Sequence, residues 1–188
     1  SVSKSFTEFA KGPKIPNYPV IDSKRNCIYV SDSFGFNEKG IGIYKFDLSS
    51  GEGGACSEEL FNFANGMCLS PKGDYIYVVE SFHPCVSRLP INSDGTFGKK
   101  EIFTEDIEIV PDGLAFDKDN NLFISCYEPS RIYIADTKGN TRLLIEDKHC
   151  TTMAHPTNIA ISDDGKTMYT ANLGRWHITE IDISDLYK

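Results

Sequence analysis

A chain of 188 residues and 21.0 kDa is the size of one domain, long enough to bury about 70% of the surface it exposes when unfolded. Its 19 Lys and Arg stand against 27 Asp and Glu, giving a formal charge of -8 and a pI near 5.0, the wrong sign for a phosphate-binding surface, so nucleic acid is excluded as a partner. No apolar run approaches the roughly 18 residues of a spanning helix, and the start SVSKSFTEFAKG lacks a basic and then apolar leader; a cytoplasmic chain with no membrane partner is the expectation.

The six cysteines, Cys27, Cys56, Cys68, Cys85, Cys126 and Cys150, form no C-x-x-C pair and no Cys/His cluster at zinc spacing. Cys27, Cys68 and Cys126 sit inside apolar alternating stretches, which reads as reduced thiols acting as small hydrophobes.

In chain order, KSFTEFA from Lys4 has outer-strand character, and a two-strand pattern then recurs four times. The copies are PNYPVIDSKRNCIYVSD from Pro16, ANGMCLSPKGDYIYVVE from Ala64, PDGLAFDKDNNLFISCY from Pro111 and PTNIAISDDGKTMYTAN from Pro156. Each is followed by a third strand: GIYKFD from Gly42, CVSRLP from Cys85, RIYIAD from Arg131 and HITEID from His177. A fourth strand is expected at SEELFNF from Ser57, KKEIFTE from Lys99 and TRLLIED from Thr141. The short Ile/Val/Tyr/Phe runs broken by Gly, Pro, Asn and Asp carry no helical period, so a repeat of about 47 residues indicates an all-β propeller of four-stranded blades rather than helical repeats. Four blades are present. Either the N-terminal strand closes a four-bladed ring, or the four are successive blades of a larger propeller.

Innermost strands line a propeller's axis, so the second residue of each copy converges there: Asn17, Asn65, Asp112 and Thr157. Amide carbonyls with one carboxylate are hard oxygen donors of the kind that Ca²⁺ takes. P-N, N-G and P-D-G are equally common turn formers, and strand initiation is the other account of the column. G-x-S-x-G, a P-loop and a strand-borne G-x-G-x-x-G are absent, which leaves serine-hydrolase and nucleotide readings without support. Asp32 and Glu80 end equivalent second strands and form a weak acid pair. His83, His149, His155 and His177 read as surface or packing residues, and Trp176, the only tryptophan, as a core or rim anchor.

PNYPVID, ANGMCLSPKGDYIYVVES, VPDGLAFDKDNNLFISCYEPSRIY and HPTNIAISDDGKTMYTANLGRWHITEIDI together resemble the gluconolactonase, senescence-marker (regucalcin) and luciferin-regenerating enzyme family of six-bladed propellers. The resemblance implies a divalent metal, usually Ca²⁺, held in the axial pocket by a glutamate, an asparagine and an aspartate. Asn65 matches the asparagine of the family's N-G motif, Asp112 the aspartate of P-D-G, and Asn17 the asparagine of P-N-D, where this chain has Tyr18 in place of the aspartate. Asn158 matches a pocket residue behind the ligands. The implied chemistry is hydrolysis of a lactone or ester, the metal polarising the carbonyl and Asp112 serving as ligand and general base. The family's E-G-P glutamate has no counterpart, since Lys11-Gly12-Pro13 carries a lysine. This leads to the expectation of a single domain over 1–188 from which about two N-terminal blades of the family are missing.

The loops SFGFNEKGIG from Ser33, SFHP from Ser81, EPSR from Glu128 and LGRW from Leu173 are expected to overhang the channel and select a small-molecule lactone or ester, with Arg131 and Arg175 as candidate anion contacts. A calcium- or ligand-binding propeller without turnover, and an interaction propeller with a degenerate site, remain open beside the hydrolase. Unpaired blade edges would favour self-association.

Overall fold

The computed structural model describes residues 6–108 and 110–187. In chain order its strands are β1 (Pro16–Asp22), β2 (Cys27–Asp32), β3 (Lys39–Gly40), β4 (Ile43–Asp47), β5 (Gly53–Ala55), β6 (Phe61–Asn62), β7 (Ala64–Leu69), β8 (Tyr75–Glu80) and β9 (Cys85–Pro90). There follow β10 (Glu101–Thr104), β11 (Pro111–Phe116), β12 (Leu122–Cys126), β13 (Arg131–Ala135), β14 (Thr141–Glu146), β15 (Pro156–Ile161), β16 (Thr167–Asn172) and β17 (Ile178–Asp182), then a 3-10 turn at Ser184–Tyr187. They form antiparallel meanders β1-β2-β4-β5, β7-β8-β9-β10, β11-β12-β13-β14 and β15-β16-β17, the four blades of a β-propeller. Aspartates fold the chain back between strands. Asp22, Asp47, Asp117 and Asp136 each accept two backbone N–H groups of the turn after them, as Asx turns do.

The core is divided into three layers between blades. Tyr29, Ile43, Phe61, Met67, Ile76 and Val78 fill the first, Tyr77, Val79, Leu114, Leu122 and Ile124 the second, and Phe123, Ile132, Met153, Ile159 and Met168 the third. Successive residues of β8 thus serve opposite neighbours, Ile76 and Val78 facing the first blade and Tyr77 and Val79 the third. Covered on both faces, that strand reads as the unbroken apolar run YIYVV. In the fourth blade β16 alternates instead, burying Met168 and Thr170 and exposing Tyr169 and Ala171.

Two expected strands are corrected. The outer strand of the first blade is β5, not SEELFNF. Gly51, at φ 73, closes a tight hairpin after Asp47, so the chain returns along β4 at once, pairing Ala55 with Tyr44. Phe61 and Asn62, at the end of SEELFNF, pair with Lys39 and Gly40 in a small separate sheet. Nor does the N-terminal segment close the ring. Of KSFTEFA, Lys4 and Ser5 lie outside the described residues, and residues 6–10 form no strand. Gly12 at φ 142 and Pro13, which has no N–H to donate, interrupt sheet pairing there. Residues 9–13 lie instead along Ile28, Val30 and Phe46 on the outer face of the first blade.

Inner strands pack in sequence, β1 on β7, β7 on β11 and β11 on β15, with no comparable packing of β15 on β1. All six cysteines are free thiols; burial pushes those of Cys56, Cys85 and Cys126 up to about 12, which makes them inert. Among the described residues no helix is long and apolar enough to cross a membrane.

Candidate functional site

Each inner strand loses register with its partner where the axial column begins. The pairing shifts between Pro16 and Pro19, Ala64 and Met67, Pro111 and Leu114, and Pro156 and Asn158. The dipeptides N-Y, N-G, D-G and T-N therefore belong to β-bulges inside strands, devices that re-aim side chains, and not to free turns. Serines of the second strand hold two of these bulges. Ser31 Oγ accepts the Tyr18 N–H at 2.9 Å, and Ser125 Oγ accepts the Gly113 N–H at 3.0 Å. Two residues before the column, Phe63, Val110 and His155 occupy the left-handed region at φ 59, 33 and 53. Non-glycine residues are held there at a cost of about 1–3 kcal/mol each, which tertiary packing must offset.

Sequence reasoning missed a second set of serines, although the chain repeats it as Asp32-Ser33-Phe34 and Glu80-Ser81-Phe82. Asn17 Nδ2 donates to Ser33 Oγ at 3.0 Å, and that hydroxyl donates to the Ala64 carbonyl of the next blade at 3.0 Å. One blade on, Asn65 Nδ2 donates to Ser81 Oγ at 3.1 Å, and Ser81 donates to the Pro111 carbonyl at 2.7 Å. Each asparagine is thereby oriented by the link that fastens its blade to the next. Among the described residues neither Oδ1 has a hydrogen-bond donor, and Asn17 is exposed while Asn65 is buried. Thr157 is different: its hydroxyl donates to Ala171 within its own blade.

Asp112 stands at the third bulge, where burial pushes its carboxyl up to about 7, opposed only by the hydrogen bond from the Asn65 side chain. Among the described residues no Lys or Arg neutralises it. Two amide oxygens and a desolvated carboxylate awaiting a counter-charge are chemically suited to a hard divalent cation. Asn65 and Asp112 are brought together directly; Asn17 joins them through Ser33 and Ala64.

The remaining candidates have other partners. Asp32 accepts the backbone N–H groups of Lys14, Ile15 and Phe34 at 2.7–3.0 Å. Glu80 accepts from Asn62 N–H, the Ser87 hydroxyl and Lys100 Nζ at 2.6–3.1 Å. Both are latches that fasten the chain entering the inner strand, so the weak acid pair is set aside. Asn158 Nδ2 donates to the Tyr18 hydroxyl at 3.2 Å, joining fourth blade to first. The Arg131 guanidinium is held by Glu146 and Glu108, and Arg175, exposed, donates to the Cys150 carbonyl. His155 stacks on Tyr127, its Nδ1 lying 2.9 Å from the Tyr127 carbonyl and 3.1 Å from Glu128. Trp176 is fully exposed rather than an anchor, because its loop projects beyond the strand ends.

A family model described as the SMP-30/Gluconolactonase/LRE-like region matches residues 42–170. The chain belongs to this family. The match spans Asn65, Asp112, Arg131 and Asn158 and leaves Asn17 and Arg175 outside. No curated protein matches this SMP-30/gluconolactonase/LRE-like chain significantly. Among solved structures, the gluconolactonase of Xanthomonas campestris is 15% identical, with a TM-score of 0.67 over 84% of this chain and 54% of its own. The calcium-binding protein regucalcin of Agrobacterium tumefaciens is 20% identical, with a TM-score of 0.61 over 82% and 52%. A chain of the nidogen/laminin complex is 16% identical, with a TM-score of 0.72 over 89% and 60%. At these identities the likeness is one of fold alone, and the chain spans about half the length of these structures.

Proposed function

We propose that this chain is a calcium-dependent hydrolase of lactones or esters, with Asn17, Asn65 and Asp112 as metal ligands and Asp112 as general base. Its four blades are read as part of the six-bladed propeller that the family resemblance implies, whose further blades would contribute the glutamate ligand. The observation that carries the proposal is Asp112, a desolvated carboxyl with no cationic partner among the described residues, standing at the bulge next to that of Asn65, where Gly66 packs on the Asp112 carbonyl. A bound divalent cation would supply Lewis-acid polarisation of the substrate carbonyl. As the one carboxylate of the column, Asp112 is the group that accepts and then returns the proton. Asp112 takes the proton of the attacking water as its oxygen bonds the carbonyl carbon. It then returns the proton to the leaving oxygen as the C–O bond breaks. Asn65, held by Ser81, keeps the Asp112 carboxylate oriented, Asn158 stands behind the ligands, and Arg175 is a substrate contact at the mouth.

The single carboxylate of the column favours one alternative, a calcium- or ligand-binding propeller without turnover. Calcium affinity follows ligand charge, and among the described residues no cluster of three or more acidic, His or Cys side chains forms a metal site. Titration of acid released from a panel of lactones, with and without Ca²⁺, separates the two. A hydrolase shows calcium-dependent turnover that Asp112→Asn lowers by about 10²-fold or more in kcat/KM. Saturable calcium binding with no turnover above that of calcium alone selects the alternative, and loss of both discards the site.

A further inference from the structure

We propose that Phe36, Phe63 and Phe82 form the wall that receives the apolar portion of the substrate, so that the chain prefers lactones or esters bearing an aromatic or alkyl substituent to polyhydroxylated ones. The substrate class rests on the hydrolase reading above; the apolar site itself does not. The three rings pack together at the loop end of the first two blades, with centroids 5.2 Å apart for Phe36 and Phe63, 5.5 Å for Phe36 and Phe82, and 4.7 Å for Phe63 and Phe82. Phe36 is 69% and Phe82 43% exposed, whereas phenyl rings gathered for stability alone would be covered.

The cluster is continuous with the axial site. Phe63 lies two residues before Asn65, and its carbonyl accepts the Ser81 N–H at 3.2 Å. Phe82 comes directly after Ser81, the residue whose hydroxyl orients Asn65. Phe36 is brought in by the small sheet in which Lys39 and Gly40 pair with Asn62 and Phe61, immediately before Phe63. Ser81 thus ties the rings to Asn65, and a ligand whose carbonyl lay at Asn65 and Asp112 would extend towards them on that side.

The chemistry of the wall sets its occupant. Phenylalanine offers no hydrogen bond, so a polyhydroxylated ring placed against it loses water without compensation, while an aryl or alkyl group gains both burial and ring stacking. Lys14 and Glu38, which flank Gly35 of the same loop, pair with each other at 3.3 Å.

The probes are two carboxylates of equal charge, 4-phenylbutanoate and gluconate, with binding followed by saturation-transfer NMR on the calcium-loaded chain. The proposal expects 4-phenylbutanoate to bind at least tenfold tighter than gluconate, and expects that ratio to fall towards one in Phe36→Ala/Phe82→Ala. Both side chains are exposed, and thermal melting verifies that the double variant is folded. Equal or reversed affinities, a ratio that survives in the double variant, or no 4-phenylbutanoate binding at millimolar concentration overturns it. Hydrolysis of a phenyl-substituted γ-butyrolactone and of δ-gluconolactone is followed in parallel. Ring-dependent binding without hydrolysis of either lactone sinks the hydrolase reading and keeps the apolar site. Hydrolysis of δ-gluconolactone without 4-phenylbutanoate binding does the reverse.

Discussion

Asp112 is where a single side chain works against the fold that holds it. Its carboxyl rises from an ordinary 3.8 to about 7 because burial disfavours the charged form. Between those values the folded chain keeps a proton that the unfolded chain has released, so stability falls as pH rises through that window and levels off above it. The full shift corresponds to roughly 4 kcal/mol, an upper bound because the side chain is only partly buried. With divalent cations chelated, Asp112→Asn should be more stable than wild type at pH 8 and equal to it near pH 3.5, as measured by urea unfolding. Saturating Ca²⁺ should reverse the order at pH 8, and a difference independent of pH would contradict this account. The asparagines and the aspartate were legible in the sequence because they recur at one position of the repeat. Ser33 and Ser81 recur too, but a serine after a strand has so many ordinary uses that only its hydrogen bonds to Ala64 and Pro111 reveal its role.

Among the strands, the glycines directly after the column, Gly66 and Gly113, set how closely the inner elements approach. A Cβ on Gly66 would lie 2.1 Å from the Asp112 carbonyl oxygen and 2.8 Å from Gly113 Cα, and one on Gly113 would lie 2.7 Å from the Thr157 carbonyl oxygen. These neighbours are backbone, so no rotamer change relieves the clash. The N-G and D-G dipeptides thus exist for close approach of β7, β11 and β15, which is also what brings Asn65 to Asp112. Gly66→Ala should destabilise the chain by about 3 kcal/mol or more. Gly54→Ala, on the outer strand β5 with nothing within 4 Å, should change stability by no more than about 1 kcal/mol. Equal costs in chemical denaturation would refute the role of close approach. The periodicity of two made nearly every strand readable in advance. It failed at SEELFNF, where Phe61 is buried in the first core and pairs with Gly40, Leu60 is exposed and Phe63 joins the Phe36 and Phe82 rings, so no outer edge forms.

For the molecule as a whole, a metal on the axis would couple blades whose inner strands otherwise pack in sequence, the Tyr18–Asn158 hydrogen bond apart. Calcium at about 100 times its dissociation constant adds about 2.7 kcal/mol, roughly 5–10 °C in Tm for a chain of this length. Wild type should show that shift and Asp112→Asn should not; a flat melt in both would mean that the column binds no calcium. The amino-acid sequence by itself determined the all-β class, the four blades and the axial column, since a repeat near 47 residues displays equivalent positions side by side and strand alternation is a local property. The tertiary structure alone decided which members of that column lie together, because Asn65 and Asp112 are brought side by side by a blade-to-blade approach while Thr157 turns to its own blade. It decided as well that Asp32 and Glu80 are latches, that Tyr18 reaches from the first blade to Asn158 in the fourth, and that three phenylalanines from separate loops pack into one cluster. Each of these depends on the distance between residues remote in the chain, and distance of that kind is fixed by the packing of blades rather than by any local pattern.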